Sequence, residues 1–254
     1  MEQLNFYRYK LEIEYDGTSY CGFQIQNLTN KKTIEGELLK AIKKLTQFDA
    51  EISVSGRTDA GVHALNQVIS FDLPKKISTH QMIMGMNYYL QDESIAVLNS
   101  QIVDKNFNAR FDAKMRYYRY IILNRKAVPT IDKSRVWHVG GKELDIKLMK
   151  EATKYLVGEH DFSAFRDAEC QAKSPIRTIS EINLFADAEN KIIFEISAKS
   201  FLHHMVRNMV GTLLWVGQKK IAPQEIENIL QSKNRTLSGP NAPACGLYFW
   251  KTEY

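Results

Sequence analysis

The 254 residues contain no run of roughly 18 apolar residues, so no helix of this chain is expected to cross a membrane. Cysteine is scarce. Cys21, Cys170 and Cys245 are odd in number and far apart, and no Cys-x-x-Cys pair occurs, which argues against both a zinc site and a disulfide framework. His203-His204 is the one histidine cluster, and no acidic or cysteine ligand sits at helical spacing beside it, so no metal is expected. Neither Gly-x4-Gly-Lys-[Ser/Thr] nor Gly-x-Gly-x-x-Gly is present, which removes the usual cradles for nucleotide cofactors. The segment from Met1 to Arg8 lacks an apolar signal region, and a cytoplasmic location is expected. What is present is ordinary globular composition, 44% hydrophobic and 25% charged. A net charge of +5 with a pI near 8.9 is compatible with a polyanionic partner without requiring one.

Periodicity gives the same order of elements twice. In the first half, Tyr9 to Tyr15 alternates as a strand and stops at Asp16-Gly17. Thr33 caps a predicted helix with Ile34, Leu38, Ala41, Ile42 and Leu45 on one face, and Glu35 and Glu37 in its first turn. Two strands follow, Ile52 and Val54 leading into a turn and Val68 to Phe71 leading out of it. Pro74 and the capping box Ser78-x-x-Gln81 open a helix through Leu90, and Ile95 to Val103 is a strand. In the second half, Arg116 to Leu123 reads as a central strand apolar on both faces. Asp145 caps a helix ending at Gly158, and Ile176–Phe185 and Ile192–Ala198 alternate around a turn. A helix spans His204 to Val216, Pro223 starts a short amphipathic helix, and Leu247 to Lys251 closes as a strand. The pattern is α+β, a ferredoxin-like βαββαβ twice. It predicts two domains, 1–104 and 105–254, joined into an extended, mainly antiparallel sheet with helices on one face and a central cleft.

The most informative residues are Ser55-Gly56-Arg57-Thr58-Asp59-Ala60-Gly61-Val62-His63-Ala64. Asp-x-Gly and Ser-Gly are common turn formers, so Asp59 alone is unremarkable. A carboxylate held on a rigid turn at a sheet edge can equally serve as nucleophile or base. Arg207 lies in His204-Met205-Val206-Arg207-Asn208-Met209-Val210-Gly211, a helix apolar around most of its circumference. Helix patterning leaves two readings open: Arg207 on one exposed stripe edged by Asn208 and Thr212, or a guanidinium paired with a carboxylate, Asp59 being the candidate. In Arg116-Tyr117-Tyr118-Arg119-Tyr120, period two puts Tyr118 and Tyr120 on one face. Packing accounts for Tyr117 and Tyr120; a tyrosine facing the cleft could stack on a displaced base. Arg57 and Arg110 are candidates for phosphate contacts, although an arginine in such a place is usually only solvated.

The decapeptide and the block Phe201 to Gly211 resemble motifs of the tRNA pseudouridine synthase A family, as do the tyrosine strand around Tyr118, His160–Arg166 and Ala242–Phe249. The resemblance runs through nearly the whole chain in five blocks. It implies an isomerase that converts uridine to pseudouridine at positions 38, 39 and 40 of the tRNA anticodon stem-loop, working as a homodimer without cofactor, metal or membrane. It makes Asp59 the nucleophile, attacking C1′ of the ribose or C6 of the ring. It sets Arg57 against the phosphate of the target nucleotide, pairs Arg207 with Asp59, and gives Tyr118 and Leu247 the surface for a flipped base. Tyr118 is also the candidate for removing the C5 proton. Cys245 stands where the family often has glutamate, so no chemistry is placed there. Lys31, Lys32, Lys43 and Lys44 would track phosphates. Two other classes fit the residues less fully: an RNA-binding protein without catalysis, and a glycosidase-like hydrolase, for which the cleft blocks lack a second acid.

Overall fold

In a computed structural model, residues 6–26 and 31–254 are described; the leading Met1 to Asn5 segment, part of the signal-region reading, lies outside them. Contacts divide the chain into two compact units. One is Met1–Arg116 with Tyr248–Tyr254, and the other is Tyr117–Leu247.

The first unit runs β1 Tyr7–Tyr15, α1 Ile34–Thr46, β2 Ser53–Val54, β3 His63–Leu73, α2 Thr79–Leu90 and β4 Ile95–Val103, the expected β-α-β-β-α-β order. β1 is paired antiparallel with both β3 and β4, and β2 is paired antiparallel with β3. The chain's last strand, Leu247–Glu253, enters parallel to β3, with Tyr248 opposite His63 and Phe249 opposite Ala64. Alternation explains β1: Tyr9, Leu11, Ile13 and Tyr15 are buried and the residues between them are not. α1 buries Ile34, Leu38, Ala41 and Ile42, and α2 buries Met82, Met86 and Leu90. Each of these Ile, Leu and Met side chains contributes about 1.5–3 kcal/mol by leaving water. The caps are as expected. Thr33 accepts from the Gly36 N–H, and Ser78 and Gln81 form both bonds of the capping box. The strand expected at Val68 begins instead at His63, inside the signature. Gln67 and Ser70 are buried along with their apolar neighbours, so the strand's inner run is not apolar throughout and its start is masked.

The second unit holds β5 Met115–Leu123 (its first two residues count with the first unit), β6 Trp137–His138, α3 Ile146–Thr153, β7 Gly158–Asp161, β8 Ile176–Ala186, β9 Lys191–Ala198, α4 Met205–Gly217 and α5 Glu225–Ser232. With these placed, the last strand is β10. The strand order is β5-β9-β8-β7, with β6 parallel to β5. β5 was expected to be apolar on both faces. It alternates instead, with Tyr118, Tyr120 and Ile122 buried and Tyr117, Arg119 and Ile121 less so. Arg119 meets Glu195 of β9 at 2.6 Å, which explains the arginine on that other face. The helix begun at Asp145 stops at Thr153, one 3-10 turn carries the chain to Leu156, and Gly158 (φ +104°) opens β7 rather than closing a helix. Glycine is common at both kinds of junction, so its letter does not separate them. Among the described residues, no helix is long and apolar enough to cross a membrane.

Candidate active site

In the first unit the signature forms the eight-residue connection from β2 to β3. Val54 pairs with Ile69 across the hairpin, and the Ser55 N–H donates to the Val68 carbonyl at 2.9 Å. Gly61 takes φ +78°, and the Val62 N–H donates to the Asp59 carbonyl at 3.2 Å, closing a tight turn directly after the aspartate. Asp59 is half-buried and Arg57 is exposed.

A second loop, residues 16–23, packs beneath this turn. The Phe23 N–H donates to the Thr58 carbonyl at 3.0 Å, and the Gly17 N–H donates to His63 Nδ1 at 3.1 Å. The ring of His63 stacks on Tyr248 with centroids 4.8 Å apart. A Cβ on Gly17 would overlap the Val62 carbonyl oxygen, so the approach of the two backbones requires glycine there. Tyr20 anchors the far end of the loop through a 2.7 Å bond to Glu93, which Lys32 also meets at 2.6 Å.

The polar side chains under the turn are buried and joined. Tyr15 and Thr58 share a hydroxyl–hydroxyl bond of 2.7 Å, Gln67 Nε2 donates to the Gly56 carbonyl at 2.6 Å, and Ser55 Oγ bonds Gln67 Oε1. Arg116 Nε donates to the Ser55 carbonyl at 2.6 Å. Burial pushes the Tyr15 phenol up to about 12, so it stays neutral and can donate at any physiological pH. Sequence reading missed these residues. A glutamine two positions before Ile69 on an otherwise buried strand was the available signal.

The second unit carries the other candidates. α4 begins at His204, held in the left-handed region (φ +59°), with its Nδ1 2.7 Å from Asp167 Oδ2 and its ring stacked on His203. Backbone donation from Glu169, and then the His204 ring, hold the Asp167 carboxyl below the usual range. Arg207 is half-buried one turn along, and its Nε donates to the Ala242 carbonyl at 2.7 Å. The Ala242 N–H returns a bond to the Arg207 carbonyl at 3.2 Å. Asn208, a polar edge on one of the two readings left open for this helix, is buried and donates to the Phe165 carbonyl while accepting from Arg235. Thr212 is likewise buried, so neither marks an exposed stripe.

Tyr118 is 9% exposed and meets Phe201 edge-on at 5.0 Å, and Leu247 is 5% exposed at the start of β10. Tyr120 packs, as expected, with its hydroxyl donating to the Pro243 carbonyl. His160–Arg166 is a structural stretch, with Phe162 and Phe165 fully buried. Arg110 lies over the ring of Phe111, and of the four lysines expected to track phosphates, Lys32 and Lys43 are paired with Glu93 and Asp49.

The chain matches the family described as tRNA pseudouridine synthase over residues 12–112 and 152–254. It is 44% identical over 247 residues to a tRNA pseudouridine synthase A of Rhodospirillum rubrum, covering 97% of this chain and 87% of that protein. To the tRNA pseudouridine synthase A of Ehrlichia chaffeensis it is also 44% identical over 247 residues, covering 97% of this chain and 100% of the other. A solved H/ACA ribonucleoprotein bound to a substrate RNA gives a TM-score of 0.34 at 10% identity, over 82% of this chain and 53% of that one, too slight a likeness to carry any argument. On the sequence matches, this chain belongs to the tRNA pseudouridine synthase family, isomerases that convert uridine to pseudouridine in tRNA.

Proposed function

We propose that Asp59 is the nucleophile of this isomerase and that the uridines it acts on are those at positions 38, 39 and 40 of the anticodon stem-loop. The observation that carries this reading is the turn itself: the carboxylate stands on backbone fixed by hydrogen bonds on both sides, from Phe23 N–H before it and Val62 N–H after it. A nucleophile so held loses little freedom on reaching its target atom. The base must leave the stack, at a cost of a few kcal/mol that contacts in the site offset. Tyr118 and Leu247 are assigned to that contact. Both are largely buried, so each offers an edge to the base rather than a broad face. Arg57, exposed beside the turn, is assigned to the phosphate of the target nucleotide.

The part proposed for Arg207 is to keep the Asp59 carboxylate ionised and aligned. A cycle of Arg207→Lys, Asp59→Glu and the double substitution measures it: strongly non-additive losses in kcat support the pairing, and simple additivity refutes it. After the carboxylate attacks C1′ or C6, the N1–C1′ bond breaks and the base turns; C5 then joins C1′, the carboxylate is released, the C5 proton leaves and N1 takes up a proton. Because the product is an isomer, the proposed reaction has no redox or energy requirement. A homodimer working in the cytoplasm completes the proposal.

The direct test maps pseudouridine in unmodified tRNA after incubation with the purified chain; new pseudouridine confined to positions 38–40 is expected, and modification elsewhere only would refute the assignment. Binding of tRNA is expected to be strongly salt-dependent. With three phosphates neutralised, affinity falls about 10- to 100-fold between roughly 50 and 200 mM salt. A flat response in a filter assay would count against charged contacts to tRNA.

A further inference from the structure

The side chains under the signature turn hold it through two sets of hydrogen bonds. Gln67 Oε1 has no hydrogen to give, so Ser55 donates to it, and Thr252 Oγ1 donates in turn to Ser55 Oγ at 3.1 Å. Gln67 Nε2 donates to the Gly56 carbonyl. Beside it, the Tyr15 and Thr58 hydroxyls share a bond of 2.7 Å. The Val68 N–H takes the remaining acceptor position of Gln67, at 3.2 Å. Both lone pairs of the amide oxygen are therefore used. Gln67, Ser55 and Tyr15 are 0%, 1% and 4% exposed, so water cannot substitute for a missing partner.

These bonds grip the turn at the Ser55 side chain, the Gly56 carbonyl and the Thr58 hydroxyl, the last of these on the residue directly before Asp59. We infer that Tyr15 and Gln67 are positioning residues for Asp59: they touch no substrate, and they set the backbone from which the carboxylate projects. The inference rests on Asp59 being the nucleophile. Buried polar groups of this kind could serve stability alone. What separates the two roles is whether the chemical step slows in a protein that remains folded and still binds tRNA.

The experiment measures kcat, KM and tRNA affinity for Tyr15→Phe, Thr58→Val, Thr58→Ser and Gln67→Glu, with Asp59→Asn in parallel. Tyr15→Phe and Thr58→Val are expected to lower kcat by about 10- to 100-fold, the scale of an ångström misplacement. KM and affinity should stay within about threefold, since uniform binding is untouched. Thr58→Ser, which keeps the hydroxyl, should regain most of what Thr58→Val loses. Gln67→Glu removes both N–H donors; its deficit should shrink as pH falls, because a protonated carboxyl regains one donor. Folded Tyr15→Phe and Thr58→Val enzymes with unaltered kcat, beside an inactive Asp59→Asn, would overturn the inference while leaving the nucleophile in place. An active Asp59→Asn would instead remove the reading beneath it. If Tyr15→Phe does not fold, the Thr58 pair and Gln67→Glu decide alone. Losses confined to KM would assign these residues to binding and refute positioning.

Discussion

Asp59→Asn is expected to reduce pseudouridine formation by on the order of 10⁴-fold or more, the scale seen when a nucleophile is removed from a preorganised site. The substitution keeps the shape of the side chain and the backbone bond from the Val62 N–H. What it removes is the charged oxygen proposed to attack. An amide oxygen is a poor nucleophile, and no change of pH restores it. Affinity for tRNA should move by less than about threefold, because phosphate contacts supply most of it. The measurement is single-turnover conversion of unmodified tRNA with enzyme in excess, beside a filter-binding curve. Residual activity within about a hundredfold of wild type would reassign Asp59 from nucleophile to an electrostatic role.

Gly211→Ala is expected to destabilise the protein by about 3 kcal/mol or more, at the upper end of overpacking costs. In an ordinary helix interior the same change would stabilise by roughly 1 kcal/mol. Here the sign reverses, because a Cβ would overlap the Pro240 carbonyl oxygen, which is backbone and has no rotamer to escape into. Around that contact the Gly239 N–H donates to Thr212 Oγ1 at 2.8 Å, and Arg207 exchanges two bonds with Ala242. Pushing the 239–242 segment away therefore loosens the group that fixes the Arg207 guanidinium, and kcat/KM should fall along with stability. Urea denaturation should show a lower midpoint at unchanged slope. A midpoint equal to wild type would mean that the segment yields without cost, and that its bonds to Arg207 hold nothing in place.

Much of this architecture was legible in the letters, for identifiable reasons. The Ser78 capping box, the alternation of β1 and the apolar face of α1 are local patterns with one physical solution each. The errors fall where a local pattern had two. β3 starts five residues before the run that marked it, and Gly158 begins a strand where glycine also commonly ends a helix. β6 and β7 are too short, at two and four residues, to show a period. The signature was readable as a candidate site because its residues are contiguous. Its support was not, since Tyr15, Gln67, Arg116 and Thr252 meet from four separate stretches of chain. The letters of Asn208 and Thr212 left an exposed stripe open as one of two readings, because a polar residue on a helix looks like surface until its buried partners are known.

Thr252 comes from a stretch, Tyr248–Tyr254, that packs with the first compact unit although all of Tyr117–Leu247 is translated in between. A nascent chain leaving the ribosome therefore holds an unfinished N-terminal half, one sheet position short, until residues 248–254 emerge. Chains that stop before residue 248 would lack both that strand and the Thr252 hydroxyl that bonds Ser55, and are expected to be unable to modify RNA.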